Sequence, residues 1–326
     1  MSGRRLSQNQ ARRVNRLQQQ RVSHALDADR GDGTVPRPGL VISRFGKQAD
    51  VEDPSEPGTI TRCHIRANID SLVAGDRIAW RTETDGGVVL ARQERSSALH
   101  RPDALGRMRA VAANLDRLVV VLATEPPPHA NLLDRYLAAA EDAGIEALIL
   151  LNKTDLAEGA TELRTMLASY TEIGYPVLYA SARQAGGLEE LCAALVGHTT
   201  AFVGQSGVGK SSIIAALLPH EELRIGALSE AESKGRHTTT AARLYHLPQG
   251  GELIDSPGIR EFSLAFLEPA RLAAGFREFR PFLGRCRFSD CQHGEEPGCE
   301  LRAAVEAGAV GEARYRSYLQ ILGENA

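Results

Sequence analysis

The sequence has no hydrophobic run long enough to cross a membrane, and it contains few cysteines. Spanning a bilayer takes roughly 20 consecutive apolar residues, and no stretch of the 326 residues approaches that length. The N-terminus is rich in Arg and Gln and has no apolar segment, which argues against a secretory signal. Five cysteines are too few for a disulfide framework. We therefore expect a cytoplasmic protein that does not bind membranes.

Acidic residues are missing from residues 1–26, which are rich in arginine, although the whole chain has a formal net charge of −3. That net charge argues against a generic nucleic-acid-binding protein, but a local basic patch can still contact phosphates. Residues 1–35 are too polar to bury a core. They are predicted to be a flexible arm, either a solvated tail or a basic segment that orders on RNA. A second basic group near the clustered cysteines contains Arg271, Arg277, Arg280, Arg285 and Arg287.

Residues 36–102 show the pattern of short strands separated by turns. Strands so closely spaced predict a small β-barrel. An oligonucleotide-binding (OB) barrel would suit an RNA partner, whereas a purely structural barrel fits the same pattern, and the periodicity does not separate the two. The predicted strands are 40–45, 58–65, 76–80 and 87–91.

Residues 103–266 alternate apolar runs with amphipathic stretches, which is the pattern of an α/β domain. The continuous apolar run 118–123 is typical of a strand that is buried on both faces of a sheet. Further strands are predicted at 147–151, 176–180, 199–203, 243–247 and 251–254, and helices at 132–143, 160–170, 188–196 and 211–218.

The stretch GQSGVGKSS lies between a predicted strand and a predicted helix. Its spacing predicts a loop whose backbone N–H groups cradle nucleotide phosphates at a helix N-terminus. Lys210 would contact the β- and γ-phosphates, and the Ser211 hydroxyl would bind Mg²⁺. The predicted nucleotide-binding residues of this loop are Gly204, Gln205, Ser206, Gly207, Val208, Gly209, Lys210, Ser211 and Ser212.

Two short motifs that follow buried strands predict that the base is guanine. These are Asn152-Lys153-Thr154-Asp155 and Ser181-Ala182. Asp155 can accept hydrogen bonds from guanine N1–H and the N2 amine, Asn152 can contact N7, and a backbone N–H at Ser181-Ala182 can reach O6. Such a site rejects adenine because its polar groups would stay unpaired. Alternatively, Asn152 and Asp155 only cap the helix that follows.

The remaining nucleotide contacts are predicted from two stretches after the phosphate loop. Asp255-Ser256-Pro257-Gly258 has the Asp-x-x-Gly form, in which Asp255 holds a Mg²⁺-bound water and the Gly258 N–H senses the γ-phosphate, although it could be only a turn. One of Thr238, Thr239 and Thr240 should bind Mg²⁺, and we favour Thr239. Ile259 cannot orient water, so His237 is the nearest catalytic candidate, unless it is simply a solvated loop histidine.

The order of these motifs differs from that of a standard GTPase. The base-reading motifs precede the phosphate loop in this sequence. The domain is therefore predicted to be circularly permuted, because termini that lie close together can be rejoined without changing the site. The segment after Gly258, which moves with the γ-phosphate in GTPases, would then lead directly into the C-terminal region.

Three cysteines and a histidine near the C-terminus have the spacing C-x4-C-x-H-x5-C. Three thiolates and one imidazole form a closed tetrahedral shell, which predicts one structural Zn²⁺ per chain and not a catalytic metal. The metal would stabilise a loop-rich segment that has little core of its own, followed by a helix at 303–322. The predicted ligands are Cys286, Cys291, His293 and Cys299.

The permuted guanine motifs, the barrel before them and the cysteine-histidine cluster after them resemble the ribosome small subunit-dependent GTPase A family of bacterial ribosome-assembly GTPases. The resemblance covers nearly the whole chain, including the arginine-rich arm and residues 235–245. It implies an OB-type barrel and GTP hydrolysis to GDP and phosphate that the small (30S) ribosomal subunit stimulates. It also implies 16S rRNA binding and a role in late subunit maturation. The family's proposed catalytic histidine maps to His237, and we expect a monomer that can meet other assembly factors on the subunit.

We therefore predict a multidomain protein with a flexible arm at 1–35, an OB-type β-barrel at 36–102, a circularly permuted α/β P-loop GTPase domain at 103–266 and an α-rich zinc-binding domain at 267–326. Two other functions stay open. The first is a phosphotransferase, against which Asn152, Asp155 and the lack of a substrate lid argue. The second is a GTP-gated RNA-binding adaptor with negligible turnover, which Ile259 leaves open.

Overall fold

A computed structural model of the chain describes residues 35–69, 71–103, 107–128, 130–156, 160–219, 242–255 and 267–324. These residues form two compact units. The first holds the described residues up to Leu115 together with 242–245 and 253–255, and the second holds the others. The predicted arm, except for Val35, lies outside the described residues. None of the helices in the described ranges is long and apolar enough to cross a membrane.

Five strands of the first unit form a closed barrel. The strand order is β1-β2-β3-β5-β4, and β4 pairs back with β1 to close the circle. Strands β3 and β5 are parallel, whereas the other neighbours are antiparallel. A five-stranded closed barrel confirms the predicted OB-type fold. The strands are β1 (Arg37–Phe45), β2 (Gln48–Glu52), β3 (Ile60–Ile65), β4 (Arg77–Glu83) and β5 (Gly86–Arg92).

The only tryptophan of the chain fills the barrel core. Trp80 is buried among small and branched apolar side chains that include Val41, Val51 and Cys63. Its indole N–H donates to the Pro38 carbonyl over 3.1 Å. Gly39 faces the ring, where a Cβ would lie 2.5 Å from Trp80 Cδ1. The core therefore depends on the absence of a side chain on β1 opposite the indole.

Strand β2 and a hairpin that follows the barrel were not predicted from the sequence. Strand β2 reads QADVE, and the two acids make it look like a loop. Both acids are nevertheless buried, and Arg62 on β3 reaches Asp50 over 2.5 Å. The hairpin consists of β6 (Ala98–Pro102) and β7 (Met108–Ala113). The alternation within β2 does not show the burial of its acids, because that burial depends on a partner on the neighbouring strand.

The first unit also contains residues from much later in the chain. Strand β12 (Arg243–His246) pairs with β1 at Ser43, and β13 (Glu252–Asp255) pairs with β12. The predicted strands at 243–247 and 251–254 are therefore present, and through β1 they join the sheet of the barrel.

The second unit is built on a parallel sheet with the order β10-β9-β8-β11. Strands β8, β9 and β11 are buried along nearly their whole length, as expected for strands covered on both faces. The strands are β8 (Arg117–Ala123), β9 (Glu146–Asn152), β10 (Val177–Tyr179) and β11 (Thr199–Val203), and the helices are α1 (Ala130–Ala143), α2 (Ala160–Glu172), α3 (Glu189–Leu195) and α4 (Lys210–Leu217).

The C-terminal segment of the second unit is made of short helices around an aromatic core. Phe276 and Phe279 stack at 4.7 Å, and both meet the edge of Tyr318. The predicted single helix at 303–322 is wrong, because the chain breaks at Ala-Gly-Ala-Val-Gly, where Gly308 has a φ of +74°. The elements are α5 (Pro269–Ala274), a 3₁₀ helix (Arg277–Phe282), α6 (Glu300–Glu306) and α7 (Glu312–Glu324).

Replacing Gly39 with Ala is expected to destabilise the barrel. The added Cβ would meet Trp80 Cδ1 at 2.5 Å and Val51 Cγ1 at 2.8 Å, and overpacking of this kind costs about 1–3 kcal/mol. The fluorescence of Trp80 in urea reports the barrel directly, because no second tryptophan contributes. Gly323→Ala is the control, since a Cβ there meets nothing within 4 Å. An unchanged Gly39→Ala midpoint would show that the core tolerates the methyl group.

Candidate nucleotide-binding and metal sites

The predicted nucleotide-binding motifs of the second unit follow neighbouring parallel strands. Asn152 is the last residue of β9, Ser181 comes two residues after the end of β10, and Gly204 comes directly after β11. The carboxyl ends of parallel strands meet at one edge of a sheet, which is where open α/β sheets bind ligands. The fold therefore brings motifs that are about 25 to 50 residues apart in the chain to one edge.

The phosphate loop has the backbone that a phosphate cradle requires. Gly209 precedes α4 with a φ of +95°, and a Cβ there would lie 2.4 Å from Asn152 Nδ2. Lys210 is buried, and its ammonium donates to the Gly204 and Gln205 carbonyl oxygens, both over 2.7 Å. The ammonium is thus held over the loop among oxygen atoms, in the position from which it can contact phosphate oxygens.

Asn152 and Lys153, which belong to the predicted base-reading motif, form hydrogen bonds to two neighbouring loops. The Asn152 amide donates to the Val208 carbonyl of the phosphate loop over 2.9 Å. Its other polar atom, Oδ1, is buried and has no hydrogen-bond partner among the described residues. The Lys153 ammonium donates to the Glu125 carbonyl over 2.7 Å. An orphaned buried oxygen beside the loop fits a site that is completed by a polar ligand.

Ser181 orients the carboxylate that is predicted to read guanine. Its hydroxyl donates to Asp155 Oδ1 over 2.6 Å. This hydrogen bond is the main reason that the pKa of the Asp155 carboxyl lies below its ordinary value. Asp155 is therefore ionised at neutral pH and can accept hydrogen bonds from a base. The sequence predicted only a backbone contact for Ser181-Ala182, so this role of the Ser181 side chain was missed.

Ser181→Ala is expected to weaken guanine nucleotide binding by about ten-fold, because an unanchored carboxylate must be ordered by the ligand itself. Equilibrium titration with a fluorescent GDP analogue measures the effect. Ser169→Ala is the matched control, since that exposed serine on α2 bonds only to the Met166 carbonyl of its own helix. Equal affinities for both variants would show that Asp155 needs no support from Ser181.

Cys286, Cys291, His293 and Cys299 lie together in the C-terminal segment and could hold one metal ion. Their ligand atoms are all within 4.8 Å of one another. His293 Nδ1 is 3.4, 3.7 and 3.5 Å from the three sulfur atoms. Cys286 and Cys299 Sγ are 3.9 Å apart, far beyond the roughly 2.0 Å of a disulfide. Burial lowers the pKa of His293, which favours the neutral imidazole that binds metals.

The surrounding backbone and tyrosines hold the loop that carries these side chains. The backbone N–H groups of His293 and Glu300 point at Cys291 and Cys286 sulfur, each over 3.4 Å. Tyr315 and Tyr318 on α7 donate to the His293 and Gln292 carbonyls over 2.6 and 2.7 Å. Partners of this kind orient metal ligands, so α7 secures the loop that carries the cluster.

Comparison with known proteins decides the family. Residues 92–265 match the family model described as RsgA GTPase. The small ribosomal subunit biogenesis GTPase RsgA of Chromohalobacter salexigens is 53% identical over 336 residues, which cover 99% of this chain and 98% of the relative. The protein of the same name from Azotobacter vinelandii is 51% identical over 335 residues, with the same coverage. The chain belongs to the RsgA GTPase family.

Solved structures of similar proteins agree with this membership. YjeQ from Thermotoga maritima is 31% identical with a TM-score of 0.73, covering 89% of this chain and 99% of that one. YloQ, a circularly permuted GTPase, is 26% identical with a TM-score of 0.71, covering 91% and 98%. The predicted family and the predicted circularly permuted GTPase fold are thereby confirmed, and the chain is a GTP-hydrolysing enzyme.

Three of the five arginines near the cysteines of this RsgA family member form ion pairs within the chain. Arg271 pairs with Asp142 over 2.7 Å, and Arg277 and Arg280 both pair with Glu141 over 2.6 Å. Three of the five arginines of this basic group are therefore neutralised by acids of the chain itself. Arg285 and Arg287 have exposed side chains and make no ion pair within the described part of the chain.

For the other predicted nucleotide-binding residues, the structure gives their burial or does not describe them. Asp255 is buried at the end of β13, and Ser211 is half-buried in the first turn of α4. Ser206, Gly207 and Ser212 are exposed. The residues outside the described part of the chain are His237, Thr238, Thr239, Thr240, Gly258 and Ile259.

Proposed function

We propose that this chain acts in late maturation of the small ribosomal subunit, where it binds 16S rRNA and hydrolyses GTP to GDP and phosphate when the subunit stimulates it. One observation carries the proposal. The base-reading motif, Ser181 and the phosphate loop follow strands of one sheet edge, in a chain whose relatives are named small ribosomal subunit biogenesis GTPases. The proposed protein is a monomer in the cytoplasm, where bacterial subunits are assembled.

The proposed nucleotide site uses each motif for one part of Mg²⁺-GTP. The motif at 152–155 and Ser181-Ala182 read guanine, and residues 204–212 with Gly258 bind the phosphates. Mg²⁺ is held by Ser211 and Thr239 directly and by Asp255 through water. The orphaned Asn152 Oδ1 and the Lys210 ammonium above the loop support this assignment.

Hydrolysis needs an oriented water and a proton acceptor. Ile259 offers neither, because its side chain is aliphatic. We assign the role to His237, whose imidazole can accept the proton in the transition state. A subunit that positions the segment around His237 would account for stimulation.

Zn²⁺ is the metal that best suits the cysteine-histidine cluster. Zn–S bonds of about 2.3 Å and a Zn–N bond of about 2.0 Å at tetrahedral angles place two sulfurs about 3.8 Å apart, and a sulfur and a nitrogen about 3.5 Å apart. The measured separations are 3.9 Å for Cys286 and Cys299, and 3.4 to 3.7 Å for His293 Nδ1. All four positions are filled by protein, so the ion would be structural.

The barrel is the proposed site of rRNA binding. Phe45 at the end of β1 is 46% exposed, and the Arg62 guanidinium lies 4.9 Å from its ring centroid. An exposed aromatic ring beside an arginine can stack a base and contact a phosphate.

We retain the division into arm 1–35, barrel 36–102, GTPase domain 103–266 and zinc domain 267–326 as part of the proposal.

GTP turnover with and without small subunits tests this function. We expect stimulation of at least ~10-fold, since supplied catalytic groups commonly accelerate GTPases by more than that. His237→Ala should lower the stimulated rate by about 100-fold while GTP still binds. If small subunits do not increase the rate of GTP turnover, the proposed ribosome-dependent function is wrong. The alternative adaptor, which Ile259 leaves open, is supported instead if GTP binds without multiple-turnover release of phosphate.

A further inference from the structure

Helix α1 is attached to the C-terminal segment by all of its charged side chains. It carries four of them, and each pairs with a residue between 267 and 324. The pairs are Asp134 with Arg314, Arg135 with Glu324, Glu141 with Arg277 and Arg280, and Asp142 with Arg271. A helix on a protein surface ordinarily turns its charges toward water, so this helix serves as a docking element for the C-terminal segment.

Close packing makes this attachment rigid. A Cβ on Gly275 would lie 2.9 Å from Ala138 Cβ, so the backbone after α5 rests directly on α1. Arg314 is buried; it bonds to Glu278 over 2.7 Å, and its guanidinium lies 4.4 Å from the ring centroid of Phe276, the residue after Gly275. Buried, fully paired groups permit little sliding. The C-terminal segment and α1 should therefore move as one body.

The other end of α1 adjoins the nucleotide-binding motifs. The loop between β8 and α1 contains Glu125, whose carbonyl accepts from the Lys153 ammonium over 2.7 Å. The next residue, Pro126, lies so near the phosphate loop that a Cβ on Gly207 would be 3.3 Å from its Cδ. Only residues 127–129 separate Pro126 from the start of α1. A displacement of α1 along its axis would therefore change both contacts.

We propose that α1 transmits the position of the zinc-binding segment to the guanine nucleotide site, with Glu141 and Arg314 as positioning residues that act through Lys153. This inference rests on the proposed nucleotide site. It adds a route separate from the segment after Gly258. Coupling of this kind is reciprocal, so a partner that shifts the C-terminal segment changes nucleotide affinity, and the nucleotide changes affinity for that partner by the same factor.

Binding of mant-GDP to four forms of the full chain tests the route: wild type, Glu141→Gln, Lys153→Met and the double variant. Glu141→Gln removes the charge that holds two arginines and is expected to weaken binding about five-fold. In the Lys153→Met background the same change should matter less than about two-fold, because the receiving side chain is gone. Glu141→Asp keeps the charge and should stay within about two-fold of wild type.

Two further variants separate positioning from damage to the fold. Arg314→Met should act like Glu141→Gln, and a metal content equal to that of wild type shows that the segment has kept its fold. Arg316→Met is the control on the same helix, since Arg316 is 71% exposed and pairs only with Glu312 of α7; its affinity should equal that of wild type.

Unchanged affinity in Glu141→Gln, or an equal loss with and without Lys153, would overturn the coupling while leaving the nucleotide site intact. Failure of the wild-type chain to bind mant-GDP would overturn the proposed function as well.

Discussion

Replacing Asp155 with Asn is expected to exchange guanine for xanthine preference. The carboxylate is exposed at the end of the motif after β9 and is held by the Ser181 hydroxyl over 2.6 Å. An amide keeps one acceptor oxygen but places its NH2 donor against one of the two guanine donors, N1–H and the N2 amine, whereas xanthine has an accepting carbonyl at position 2. We expect GDP affinity to fall by at least ~100-fold and XDP affinity to rise, because mismatched polar groups in a binding site are costly.

Titrations with fluorescent GDP and XDP measure both affinities. Asp85→Asn is the matched control, since that aspartate lies in an exposed turn of the barrel between β4 and β5. Unchanged guanine preference in Asp155→Asn would refute the assignment of Asp155 as the base reader. No residue would then be assigned to the selection of guanine over other bases.

Loss of one zinc ligand is expected to unfold the loop that carries the cluster. Cys291→Ser should reduce zinc from one equivalent to nearly none, because a structural zinc site contributes about 10–16 kcal/mol in small zinc peptides. The loop between the 3₁₀ helix and α6 contains no helix or strand, and the hydrogen bonds from Tyr315 and Tyr318 hold only its middle, at residues 292–294. Metal analysis and thermal unfolding of the purified chain measure the two consequences.

Cys192→Ser is the control for this variant, since that half-buried cysteine lies on α3 in a different part of the second unit. It should keep the metal and the unfolding temperature. A full equivalent of zinc in Cys291→Ser would exclude Cys291 as a ligand.

Zinc affinity is expected to fall as the pH falls. Burial raises the pKa of the Cys291 thiol to about 12 in the metal-free chain, so this thiol is protonated at neutral pH. Zinc binds the thiolate and must displace the proton, so acid competes with the metal. Competition with a chromophoric chelator at several pH values should show weaker binding at lower pH, and a pH-independent affinity would contradict a thiolate site.

The sequence predicted the elements whose information is local. The phosphate loop, the motif at 152–155 and the ligand spacing of the cluster each lie within about 15 residues, because backbone turns and metal shells set short-range spacing. Strand β11 was predicted with its observed ends, since Thr199–Val203 is a continuous buried run before the loop. The closed barrel also followed from strand spacing, although β2 was missed.

The tertiary structure decided which charged groups meet. Strand β2 was not predicted because Asp50 and Glu52 look like loop residues, and their burial depends on partners elsewhere in the chain. In the sequence, the arginines at 271, 277 and 280 are only part of a basic group, whereas in the structure they pair with acids of α1 more than 100 residues away. Long side chains find partners through space, and a local pattern records only their charge.

By itself, the sequence determined that the chain binds a nucleotide, that the base is guanine and that the motif order is permuted, since each inference needs only residue type and order. Only the tertiary structure decided that the Ser181 hydroxyl bonds to Asp155, that the Lys153 ammonium bonds to the Glu125 carbonyl and that α1 is paired with the C-terminal segment. These three contacts arise when distant residues pack together, and their energies depend on burial and distance, which order along the chain does not specify.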